Sequence, residues 1–242
     1  MSSDYSSIPG QDYVKRIFKS NPLPKSYQLL EYIQTTGTQY INTGYTPTNY
    51  SGFKIKVSSQ DMNTDSVIIG QRPAQDNRMW IGNYDNDFYF GWNTNLYLAE
   101  ETDINLTQDK PWILSINYKN DRMRKFANFE FGTSIPTNVT STYPIFIGAG
   151  NHIGTASYFS KIKIYSVEIT ENDRIVKNLV PCYRISDGVI GLYDLVTNSF
   201  HTNAGSDVFI KGPELDNIEC DEAWSNNVLL YNKISDMLGS II

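Results

Sequence analysis

The chain is poor in the residues that carry most enzymatic chemistry. Its 242 residues include 2 histidines, His152 and His201, and 2 cysteines, Cys182 and Cys220. The cysteines match no metal-ligand spacing and are too few for a disulfide framework, so reduced thiols are expected. Charge is sparse, at 19 % of residues, with a formal net charge of −6. No run of Lys and Arg is long enough to follow a phosphate backbone, which removes nucleic acid as an expected partner. The densest basic stretch, KNDRMRKF, holds Lys119, Arg122, Arg124 and Lys125 and reads as a hairpin turn with solvated charges. No apolar run reaches the roughly 18 residues of a membrane span, so no membrane insertion is expected. The opening MSSDYSSIPG has no basic and no apolar segment, so no signal peptide is expected. On that reading the protein is made in the cytoplasm and reaches the outside by lysis or inside a particle. The sequons at Asn49, Asn105 and Asn138 then go unused.

Aromatic residues are plentiful, at 13 %, led by 17 tyrosines. Aromatic and β-branched residues suit pleated surfaces, while Asn and Gly suit turns. GFKIKVSS alternates Phe53, Ile55 and Val57 against Lys54 and Lys56. RMWIGNYDNDFYFGW reads as a hairpin turning at NYDND, and PWILSINYKNDRMRKFANFEFG as another turning at KNDR. Strand follows strand from Leu23 to Pro213 with no long helical pattern between, so the fold class is all-β, a sandwich or a barrel. TENDRIVKNLVPC is the exception. Thr170 followed by Asp173 resembles a capping arrangement and predicts a helical turn or two. Residues 1–22 read as an N-terminal arm with a short amphipathic helix at QDYVKRIFKS. Residues 214–242 read as a C-terminal amphipathic helix, with Trp224, Val228, Tyr231 and Ile234 at helical spacing.

A nucleophilic triad needs an imidazole, and no serine or cysteine sits in an elbow such as G-x-S-x-G. Glycoside hydrolysis needs two carboxyl groups across the bond. The nearest approach is Asp85 and Asp87 in YDNDFYF, with Glu100, Glu101 and Asp103 further on, and a polar turn explains the first pair better. A Ca²⁺ site at Asp85 and Asp87, or Asp61 and Asp65, matches no EF-hand spacing. No catalytic residue, cofactor or metal is therefore expected. The better signal is an aromatic belt of Trp80, Tyr84, Tyr89, Trp92 and Tyr97 interleaved with Asn. Rings can cover the apolar C–H face of a sugar, and Asn, Asp and Arg side chains can bond its hydroxyls. Arg78, Trp80, Tyr84 and Asp87 are the predicted glycan-binding residues, because they flank the hairpin tip.

GLYDLVTNSFHTNAG holds His201 close to Asp194, Asn198 and Ser199. It reads as a hairpin turning at TN.

Two segments carry a resemblance. LPKSYQLLEYIQTTGTQYINTGYTPT, residues 23–48, and KIKIYSVEITENDRIVKNLVPCYRISDGVIGLYDLVTNSFHTNAGSDVFIKGPE, residues 161–214, resemble the opening and closing segments of bacteriophage and prophage tail-associated proteins. Those proteins carry a concanavalin A-like, laminin-G-like jelly roll. The resemblance implies a two-sheet antiparallel jelly-roll sandwich over 23–213 and a place on the virion, in the tail, tail fibre or baseplate. It implies host attachment through non-catalytic binding of cell-surface glycan. The expected partners are other tail or baseplate proteins, host glycan and further copies of the chain. The competing expectations are an assembly subunit without glycan affinity and, third, a hydrolase of cell-surface polysaccharide. In the resembling proteins an aromatic residue, commonly Tyr, stands where this chain has His201, which implies a packing role for that ring and an Asp194 that bonds turn or strand backbone rather than orienting a histidine.

Overall fold

The computed structural model describes residues 23–61, 64–72, 78–84, 87–93, 95–98, 109–116, 124–126, 129–131 and 141–215. The arm expected over 1–22, and the helix expected over 214–242 beyond its first two residues, lie outside them. The described residues are strands and turns, and they contain no helix that could cross a membrane.

The first strands are β1 (Tyr27–Leu29), β2 (Ile33–Gln34), β3 (Ile41–Asn42), β4 (Ser51–Ser59), β5 (Ser66–Gln71) and β6 (Arg78–Tyr84). Then come β7 (Asp87–Asn93), β8 (Asn95–Leu98), β9 (Trp112–Ile116), β10 (Arg124–Phe126), β11 (Phe129–Phe131), β12 (Phe146–Ile147), β13 (Gly150–His152) and β14 (Thr155–Ser157). The last are β15 (Ile162–Glu171), β16 (Arg174–Arg184), β17 (Ile190–Asp194), β18 (Ser199–Thr202) and β19 (Ile210–Lys211).

They form two sheets. The larger has 11 strands along the path β11-β10-β9-β4-β15-β16-β17-β18, with β1, β2 and β19 joined at its side. The smaller has 8, along β14-β13-β5-β6-β7-β8, with β3 and β12 attached. Pairing is antiparallel except where β13 meets β5. Period-two alternation builds the core, because alternate side chains leave opposite faces of a strand. On β4, Phe53, Ile55 and Val57 are buried while Lys54 and Lys56 are exposed. One apolar cluster draws on both sheets, taking Ile55, Leu114, Val167 and Leu179 from the larger and Ile69, Ile81, Phe90 and Ile147 from the smaller. That shared core is what a β-sandwich requires.

The stretch TENDRIVKNLVPC is not helical. Asn172 and Asp173 take φ of 51° and 62° and turn the chain straight from β15 into β16, with Glu171 opposite Arg174. Two consecutive left-handed residues define the hairpin turn that matches strand twist, and Asn and Asp tolerate it. The acidic residue that imitated a helix cap belongs to that turn. The KNDR hairpin has Arg124 opposite Ile116. Arg124 and Lys125 thus sit in strand β10, and the turn itself lies outside the described residues.

The two ends of the described chain interlock. β1 pairs with β16, β2 with both β15 and β19, and Leu30 bridges Glu214. Outside β16 and β17 a smaller apolar cluster forms from Leu23, Cys182 and Tyr193, with Tyr27, Leu29 and Phe200 packed on it.

Candidate functional site

β6 and β7 pair with Arg78 opposite Asn93, Trp80 opposite Gly91, Gly82 opposite Tyr89 and Tyr84 opposite Asp87. Alternation therefore places Arg78, Trp80, Tyr84 and Tyr89 on one face of the smaller sheet. Met79, Ile81, Phe88 and Phe90 take the other face and enter the core. Three of the four predicted residues, Arg78, Trp80 and Tyr84, share the face turned away from that cluster. Of the rest of the belt, Trp92 pairs with Met79 and Tyr97 with Phe90, and their side chains lie outside the described residues.

Exposure varies along this outward face. Tyr84 is 42 % exposed and its ring meets that of Tyr89 edge-on at 6.0 Å. Trp80 is only 3 % exposed and Arg78 6 %. The side chain of Asp87 lies outside the described residues. Glycines make the bed for Trp80: a Cβ on Gly91 would come within 2.2 Å of its Nε1, and one on Gly70 within 2.4 Å of its Cβ. The indole Nε1–H is buried and has no acceptor among the described residues. A buried donor without an acceptor costs free energy, so its persistence calls for an explanation.

The His201 cluster is built differently. β17 and β18 pair with Asp194 opposite Ser199 and Leu192 opposite His201. Four residues, Leu195 to Asn198, connect them, rather than the expected tight TN turn, and Asn198 takes a left-handed φ of 53°. Asp194 is fully buried and its carboxylate is consumed locally. Oδ1 accepts from the backbone N–H of Asn178 at 3.1 Å and of Val196 at 3.0 Å. Oδ2 accepts from Thr197 Oγ1 at 2.5 Å and pairs with Lys177 Nζ at 2.9 Å. Burial alone would raise this carboxyl, but the bonds from Thr197, Lys177, Asn178 and Val196 outweigh it and hold it below the usual carboxylate range.

His201 does not touch Asp194. Its Nδ1 lies 3.2 Å from the carbonyl oxygen of Asn42 on β3, and its Nε2 lies 3.2 Å from Ser199 Oγ. A carbonyl can only accept, so Nδ1 carries the proton and Nε2 accepts from Ser199. The ring thus ties the larger sheet to the smaller one. Burial, then the nearby Lys177 ammonium, push its pKa below the ordinary histidine value, against the opposing pull of the Asn42 carbonyl and Asp194.

Other candidates are also committed. Cys182 is fully buried and burial pushes its thiol up to about 12, so it is not a ready nucleophile. Asp61 accepts from Lys161 Nζ at 3.1 Å and Thr64 Oγ1 at 3.0 Å. Among the described residues no three His, Cys, Asp or Glu side chains group as a metal site. Asp85, Glu100, Glu101, Asp103 and Cys220 lie outside those residues.

Sequence reading missed Glu171, at the end of β15. It accepts from Tyr45 Oη, from Ser51 Oγ at 3.0 Å and from Thr48 Oγ1 at 2.6 Å. Burial first, then the Glu171 carboxylate, push the Tyr45 phenol upward. These bonds fasten the loop entering β4 to the β15–β16 turn, a structural use that no local motif announces.

No protein-family model matches the chain, and no curated protein matches it.

Proposed function

We propose that this chain is a jelly-roll module of the concanavalin A-like kind, carried by a phage tail or tail-like particle. It binds host cell-surface glycan without cleaving it. The fold reading is supported by two antiparallel-rich sheets around one core. The segments that carry the resemblance, 23–48 and 161–214, pair directly through β1, β2, β15, β16 and β19.

The observation that carries the binding reading is the outward face of the β6–β7 hairpin. Tyr84 is exposed beside Tyr89, on the same face as Arg78 and Trp80. An exposed ring can take a sugar's C–H face, and a tyrosine hydroxyl can bond an oxygen at its edge. A non-catalytic role is supported by the His201 cluster, where the imidazole and carboxylate serve the fold. The test is a glycan array with the purified full chain, repeated with Tyr84→Ala. Binding to host glycans that falls at least about tenfold in the variant supports the reading, on the scale of a lost hot-spot aromatic. A blank array rejects it.

A further inference from the structure

A second aromatic cluster lies on the outward face of the larger sheet. Ile33 of β2 pairs with Ile164 of β15, both fully buried, so Tyr32 and Gln34 point outward with Lys163. The register of β15 against β4 slips between Ile164 and Ser166, and the bulged residue is Tyr165. The Tyr32 and Tyr165 rings meet edge-on at 5.5 Å. Lys56 Nζ sits 5.3 Å over Tyr165, and Lys163 Nζ sits 5.1 Å over Tyr32. Lys54 follows on the same face of β4.

The charges here are not balanced. Lys54 has Glu168 at 4.0 Å and Lys161 has Asp61 at 3.1 Å. Neither Lys56 nor Lys163 has a carboxylate partner among the described residues. Guarding a sheet edge does not explain them, since β4 and β15 lie in the middle of the larger sheet. The chain as a whole carries −6, so a local excess of cations runs against its composition.

We propose that this face, centred on Tyr32, Tyr165, Lys56 and Lys163, binds a carboxylate-bearing polysaccharide. The ammonium groups pair with its acidic groups, and the tyrosine hydroxyls and Gln34 Oε1 bond its hydroxyls, Gln34 Nε2 being held by Gln60 Oε1 at 2.9 Å. Single-stranded nucleic acid fits less well. Each ring already has an ammonium over it and its neighbour's edge against it, which leaves no open platform for successive bases. The site stands apart from the β6–β7 face and does not rest on that face binding anything.

The test is affinity electrophoresis of the full chain through gels holding polygalacturonate or neutral dextran, with an oligothymidylate titration alongside. Expected are retardation by polygalacturonate alone, its loss in about 0.5 M salt, and about 30-fold weaker binding in Lys56→Gln/Lys163→Gln, taking the effect of a lysine beside an anionic surface for each. Both lysines are surface residues, and an unchanged unfolding midpoint certifies the fold. Tyr84→Ala should be retarded like the parent. The proposal falls if polygalacturonate does not retard the chain, if the double lysine variant is retarded equally, if Tyr84→Ala abolishes the effect, or if oligothymidylate binds more tightly. Because Tyr84 alone tests the β6–β7 face on the glycan array, the two readings can fail separately.

Discussion

The β17–β18 hairpin and the β6–β7 hairpin divide chemistry in opposite ways. The first holds a carboxylate, an imidazole and the hydroxyls of Thr197 and Ser199, and each of these already has a partner. Asp194 accepts four bonds, and both ring nitrogens of His201 are occupied. The second holds a tyrosine ring open to solvent, above a buried indole N–H without an acceptor among the described residues. A cluster of reactive residue types is thus no guide to a site when the fold has spent them. Capacity for a ligand lies where polar and aromatic groups are left over.

Breaking the first hairpin should cost the most. Asp194→Ala strands Lys177, which is 14 % exposed, and frees two backbone N–H groups and Thr197. Removing one partner of a buried ion pair costs about 3–5 kcal/mol. Urea unfolding should show that loss. A cost under about 1 kcal/mol would mean that Asp194 is not the structural centre described.

The second hairpin should respond to volume instead. Gly91→Ala forces a methyl against the Trp80 indole, and overpacking of this kind costs about 1–3 kcal/mol. In a Trp80→Leu background the same change should cost less, since the clashing ring is gone. A double-mutant cycle with no coupling would show that Gly91 is not there to seat the ring.

Acid should separate the hairpins as well. The His201 pKa is lowered in the fold, so folding favours the neutral ring. The unfolded chain then binds more protons, and stability falls as pH drops below the unfolded histidine value of about 6.5. The fall continues until the lowered folded value is passed. Asp194 is lowered as well, so its contribution is present above the unfolded carboxylate value and is lost only in stronger acid. Between pH 7.5 and 5 the parent should lose more stability than His201→Phe, read as the shift in urea midpoint. Equal shifts would remove His201 as the source.

Much of this was legible by alternation. GFKIKVSS and RMWIGNY show their two faces directly, because a strand's period is local. The face shared by Arg78, Trp80 and Tyr84 follows from the same rule. The burial of Arg78 and Trp80 does not follow, since it depends on what crosses that face and on the glycine of the neighbouring strand. The turn at Asn172 and Asp173 was misread because short polar residues serve helix caps and left-handed hairpin turns alike. Tyr32 and Tyr165 were invisible as a pair. They meet only because β2 docks on β15, a long-range pairing that no spacing encodes.

The smallest expected effect sharpens the comparison most. Tyr84→Ala removes a ring that is 42 % exposed and touches Tyr89 at its edge. A surface change of that kind should move stability by no more than about 0.5 kcal/mol. If the ring serves a ligand, glycan binding should fall while the urea midpoint stays put. If the midpoint falls too, Tyr84 is packing like His201, and the two hairpins differ less than their hydrogen bonds suggest. The decisive quantity is the ratio of the two effects, because a group left over by the fold is one whose removal the fold does not notice.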